Sequence, residues 1–191
     1  AAAVVADRVE AEALPTLPCV IISDPGQDLD DEMAMVLLRE LVERGDIQCK
    51  GVVCNLAPAF DRARLMRGTL DTLGLQHVPV GVGTDGGAGL EHADTFSESA
   101  ASYIPDAESE RMATACSGRK LLRGVFEHAS AGSLVLLCIS SLKDAALFLR
   151  DNEPLFVEKI RYVVDIADRC RAAGGAVDEA LMREAKVRGF S

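Results

Sequence analysis

Apolar residues in this chain fall into short unbroken runs that alternate with stretches where they recur every three or four positions. The first run, Cys19-Val20-Ile21-Ile22, closes on Ser23-Asp24-Pro25-Gly26. A run of that length ending in turn residues predicts a buried strand. Helical spacing begins directly afterwards with Met33, Ala34, Val36, Leu37, Leu38, Leu41 and Val42, and Gly45 is a natural stop. The same reading predicts a strand over 48–54, a helix over about 59–73 closed by Gly74, and a short strand over 77–83. Helical spacing returns over 110–129, followed by the most apolar strand of the chain over 133–139. Ser140-Ser141 then opens a helix, 151–154 marks a break, 156–160 is a short helical piece, and 161–166 reads as a fifth strand. Strands and helices alternating through short links predict an α/β fold: an open, mostly parallel sheet in three layers with helices on both faces. Residues 84–110, rich in Gly, Ser, Asp and Glu, show no period and read as a long surface loop holding His92 and Tyr103.

Length and composition narrow the class. A chain of 191 residues with 49% hydrophobic content suffices for one sizeable core. Residues 18–175 read as the α/β domain, 1–17 as an appended segment, and 176–191 as a charged, helix-like tail. No apolar run is long enough to span a membrane, so no membrane insertion is expected. The net charge of −10 argues against nucleic acid as a partner, because phosphate backbones recruit basic patches. An uncharged nucleoside remains compatible with it. The six cysteines form no Cys-x-x-Cys pair, and in a domain with this much core they read as buried, reduced thiols of an intracellular, cytoplasmic protein.

The candidate chemistry sits where the first strand gives way to the first helix. Asp24, Asp28, Asp30, Asp31 and Glu32 lie within nine residues. One carboxylate at a helix start is explained by capping and the helix dipole. Five so close repel one another unless a cation stands among them, and hard oxygen donors suit Ca²⁺ or Mg²⁺ rather than Zn²⁺. The end of a strand is also where α/β sheets place their ligands.

The segment Asp24-Pro25-Gly26 followed by Asp30-Asp31 resembles the amino-terminal motif of the inosine-uridine nucleoside hydrolases, written Asp-x-Asp-Pro-Gly-x-Asp-Asp-Ala. Here Ile22 stands at the first Asp, Glu32 at the Ala, and two extra residues lengthen the loop. The likeness extends over roughly 18–165, the amino-terminal portion of a typical member. It implies a Ca²⁺-dependent hydrolase of the N-glycosidic bond of a ribonucleoside. By the same resemblance Asp24 is the base that takes a proton from water and a metal ligand, with Asp31 as a second ligand. The Lys143 backbone carbonyl takes the position of a third, in Leu142-Lys143-Asp144, and Asp28 is a further candidate. Asp30 and Asn55 are expected to hold ribose hydroxyls. A strand-end Asn is also an ordinary turn residue, and Ser140 and Ser141 are ordinary helix caps.

Parts of the family pattern are missing. Nothing after Gly175 offers the family's carboxy-terminal His-Asp pair, and Gly68 stands where the family motif has an Asn. His77, His92 and His128 are the only imidazoles, none within the motif. The expected activity of this chain alone is therefore weak or absent, and Ca²⁺ or Mg²⁺ is dispensable if the site has degenerated. Two alternatives stand beside the enzyme: a catalytically degenerate fold serving as a structural or accessory subunit of an oligomer or larger complex, or a fragment whose site a second chain completes.

Overall fold

The computed structural model describes residues 15–27, 29–87, 104–106, 109–113 and 115–165. The elements in order are β1 (Leu17–Ser23), α1 (Asp30–Glu43), β2 (Ile47–Cys54), α2 (Ala59–Thr72), β3 (Val80–Val82), α3 (Glu110–Ala113), β4 (Cys116–Ser117), α4 (Gly118–His128), β5 (Leu134–Cys138), α5 (Lys143–Lys159) and β6 (Ile160–Asp165). Six strands form one sheet in the order β4-β3-β2-β1-β5-β6, and every neighbouring pair is parallel.

The unbroken apolar runs are explained by β1, which is covered on both faces. Cys19 and Ile21 face a core shared with Met35 and Leu38 of α1 and with Ala63, Met66 and Leu70 of α2. Val20 and Ile22 face the opposite core, with Leu121, Leu122 and Phe126 of α4 and Ala145, Phe148 and Phe156 of α5. Helices thus flank both faces, giving the predicted three layers. Cover on the α1 side fades toward the β6 edge. In the row Cys19–Val135–Tyr162, set by the strand register, exposure rises from 4% at Cys19 to 54% at Tyr162.

Two departures from the sequence reading have local causes. The helix expected over 110–129 is interrupted by β4, a two-residue strand too short to leave a periodic trace. Gly118 permits the interruption: a Cβ there would meet Val53 Cγ1 at 2.5 Å and the Gly83 Cα at 3.2 Å, so only a bare backbone packs this close to the sheet. Ser117 then caps α4, accepting the Lys120 N–H at 3.3 Å. The break expected over 151–154 is a kink inside α5, with Asn152 at φ −140° two residues before Pro154.

The strand order places a topological switch between β1 and β5. The chain leaves β1 toward β2 on one side, and leaves β5 toward β6 on the other. The loops after these two strands therefore part at the carboxyl end of the sheet, the position at which sheets of this kind form their ligand crevice. Among the described residues no helix is long and apolar enough to cross a membrane. None of the five described cysteines is disulfide-bonded, and all but Cys116 are buried. Residues 1–14 and the tail from 166 onward lie outside the described residues, as do His92, Tyr103 and Cys170.

Candidate functional site

The crevice floor is built from Ser23, the last residue of β1. Its carbonyl accepts the Asn55 N–H at 3.1 Å, and its Oγ donates to Asp31 Oδ1 at 2.5 Å. The Asp24 N–H donates to the same oxygen at 3.2 Å. Asp31 is the second residue of α1 and is only 3% exposed. Asp30 opens the helix, remains exposed, and accepts the Asp31 N–H at 3.1 Å. The structure therefore brings Asp24, Asp30 and Asp31 together as expected from the motif. Burial raises the Asp31 carboxyl most. The Ser23 hydroxyl pulls it back, the charges of Asp24 and Asp30 raise it again, and the result is about 7.

Arg62, on the first turn of α2, is fully buried beneath the acidic loop. Its Nη1 donates to the Asp24 carbonyl at 2.6 Å and the Pro25 carbonyl at 2.8 Å. Nε and Nη2 donate to the Ala57 carbonyl at 3.3 and 3.2 Å. The buried Cys54 thiol senses all these charges. Burial pushes it well above the usual range, Asp31 and Asp24 add to the rise, and Arg62 opposes it. Sequence reading missed Arg62, although a trace existed: it shares the helical stripe of Met66 and Leu70, where an apolar residue is the rule.

The third part of the site is a polar hub below the β5–α5 turn. Asn55 is 0% exposed. Its Nδ2 donates to the Ser141 carbonyl at 2.8 Å and to Asp144 Oδ2 at 2.9 Å. Its Oδ1 accepts the Ser140 hydroxyl at 2.5 Å. Asp144 also accepts the Thr84 N–H at 3.0 Å and the Thr84 hydroxyl at 2.7 Å. Asn55 is thus tied by its backbone N–H to Ser23, and both Nδ2 donors and one lone pair of Oδ1 are in use. A ribose hydroxyl meets there the second lone pair of Oδ1 unless one of these bonds opens. The Ser140 and Ser141 hydroxyls bond to Asn55 and to the Gly86 carbonyl, and the Lys143 N–H reaches Ser141 Oγ at 3.3 Å.

Lys143 is the first residue of α5, directly after the β5–α5 turn. The side chain forms an ion pair with Asp85 of the loop after β3. His77 precedes β3, and His128 ends α4 with Nδ1 at 2.8 Å from the Gly124 carbonyl.

The donor chemistry suits a hard divalent cation: a buried carboxylate with both hydrogen bonds on one oxygen, beside two further carboxylates. The number falls short, since Ca²⁺ takes six to eight oxygens. Among the described residues no three His, Cys, Asp or Glu side chains converge closely enough to hold a metal ion. Asp28 lies outside the described residues.

No protein-family model matches the sequence, and no curated protein sequence matches it. Solved structures do match in fold. The type III effector protein XopQ, solved in complex with adenosine diphosphate ribose, superposes with a TM-score of 0.71 at 23% identity over 80% of this chain. A plant nucleoside hydrolase matches with a TM-score of 0.61 at 14% identity over 79%. A purine-preferring ribonucleoside hydrolase from Gardnerella vaginalis matches with a TM-score of 0.52 at 14% identity over 78%. This chain spans 43% of the first of these proteins and 48% of each hydrolase, less than half their length. At such identities the likeness speaks for architecture, and on that ground the chain has a nucleoside hydrolase-like α/β fold.

Proposed function

We propose that the crevice between the β1 and β5 loops is a cation-assisted, ribose-binding site of nucleoside hydrolase type, and that its chemistry is hydrolysis of an N-glycosidic bond. One observation carries the reading. Asp24, Asp30 and Asp31 cluster at the switch point of a doubly wound sheet, and the central one is buried at a cost that a bound cation would remove. The ligand class is carried over from the fold neighbours, two of which are nucleoside hydrolases and one of which was solved in complex with adenosine diphosphate ribose.

In this reading Asp31 and Asp24 would hold Ca²⁺, with water supplying further oxygens. Ca²⁺ bound there would offset the carboxylate charges and make nearby water more acidic. Asp24 accepts a proton from the attacking water. The water oxygen bonds to the anomeric carbon as the C–N bond breaks; the base leaves with the bonding electron pair and takes a proton from solvent, and Asp24 then returns its proton to solvent, giving free ribose and free base. Asp30, exposed at the rim, accepts from ribose hydroxyls, and Asn55 sets the crevice floor through its bonds to Ser140 and Asp144. The test is ribose release from inosine and uridine during a Ca²⁺ titration, with Asp31→Ala as control. Release that needs the cation and vanishes in the variant supports the reading. No cation-dependent release, or release that survives Asp31→Ala, defeats it.

A second reading, binding without turnover in an accessory subunit, is favoured by the Asn55 amide, whose Nδ2 and Oδ1 are already bonded to Ser141, Asp144 and Ser140. It predicts a measurable dissociation constant for ADP-ribose or inosine with no ribose released, and a partner retained in native mass spectra of the source material.

A further inference from the structure

Arg62 heads the fully buried side chains in size. A guanidinium stays charged throughout the accessible pH range and is costly to bury unless its donors are used. Here two edges of one planar fork serve two loops. One edge takes the carbonyls of Asp24 and Pro25 after β1, and the other takes the Ala57 carbonyl after β2. The Asp24 N–H is meanwhile held by Asp31 Oδ1. Both polar groups of the Asp24 backbone are therefore fixed, which sets the direction of its Cα–Cβ bond. A lysine would keep the charge but has no rigid fork with which to bridge two loops.

We infer that Arg62 is the positioning residue of the acidic site: its fork locks the Asp24-Pro25 backbone onto the Ala57 loop, so that the Asp24 carboxylate is presented beside Asp31, while its fixed charge offsets part of the repulsion among the carboxylates. Only the use of the cluster by a cation rests on the function proposed above. The bracing is independent of it.

The experiment compares the full 191-residue chain with Arg62→Lys and Arg62→Met. Amide hydrogen exchange is read without metal, and Tb³⁺ luminescence serves as the probe of the carboxylate site. Both variants are expected to exchange the Gly26 and Gln27 amides at least tenfold faster, while β5 and α4 stay protected. Arg62→Lys is expected to weaken Tb³⁺ binding at least tenfold although the charge is kept. Wild-type exchange and wild-type Tb³⁺ affinity in Arg62→Lys overturn the inference. So does tighter Tb³⁺ binding in Arg62→Met, which makes Arg62 a mere competing charge. If the wild type itself binds no Tb³⁺, the cation reading fails, and the exchange comparison alone decides the bracing. If neither variant folds, the wild-type Arg62 Nε–H resonance decides: slow solvent exchange supports the brace, and fast exchange removes it.

Discussion

Asp31 and Asp144 are two buried aspartates at the same end of one sheet, yet their surroundings differ in kind. Asp144 accepts from the Asn55 amide, the Thr84 N–H and the Thr84 hydroxyl, all uncharged donors, and both its oxygens are used. Asp31 receives two donors on one oxygen and has two other carboxylates for neighbours. The first arrangement is that of a brace, because each buried polar group finds a partner. The second gathers like charges in a buried place, a pattern enriched at functional sites, and the function proposed above rests on that contrast.

The contrast breaks most directly at Asp144. Asp144→Ala strands the Asn55 amide and both Thr84 donors, and should cost about 3 kcal/mol, with the melting temperature falling roughly 2–4 °C per kcal/mol. Chemical denaturation measures it, and a loss under about 1 kcal/mol would deny the brace.

Asp31→Asn should act in the opposite direction under cation-free conditions. The folded-state carboxyl lies near 7, above its ordinary value of 3.8. The folded protein therefore binds more protons than the unfolded chain between these values, and stability falls as pH rises through that window. Denaturation midpoints in chelator should be higher at pH 5 than at pH 8 for the wild type. Asp31→Asn should flatten that slope and be the more stable protein at pH 8. A wild type that gains stability from pH 5 to 8, with the slope unchanged in Asp31→Asn, would contradict the assignment.

A smaller effect sharpens the same point. The Ser23 hydroxyl lowers the Asp31 carboxyl, so Ser23→Ala should push its titration upward by about one unit, equivalent to about 1.4 kcal/mol. Carbon-13 NMR of the Asp31 carboxyl reads the shift directly; no movement, or a movement downward, would remove Ser23 from the site. Smallest of all is the Lys143–Asp85 pair, which is exposed on both sides. Lys143→Met should leave the denaturation midpoint unchanged, and a clear drop would make this pair part of the framework.

The sequence went furthest where structure is local. The apolar runs at 19–22 and 133–139 and the helical spacing after Met33 anticipated β1, β5 and α1, because a parallel strand covered on both faces and an amphipathic helix each impress their period on neighbouring residues. The motif Asp24-Pro25-Gly26 with Asp30-Asp31 anticipated the acidic cluster for the same reason: all its members lie within one loop and one helical turn. The two-residue strand β4 was missed because pairing with Gly81 and Val82, rather than any pattern of its own, makes it a strand.

By itself, then, the sequence determined the parallel α/β class and the carboxylates gathered at the end of β1, since both follow from periods and spacings within some fifteen residues. Only the tertiary structure decided that Arg62 clamps a loop 38 positions earlier and that Asn55 and Thr84 meet Asp144 across 89 and 60 positions. Contacts over such separations are chosen by how layers stack and which buried donors still lack acceptors, and no local pattern of residues records that choice.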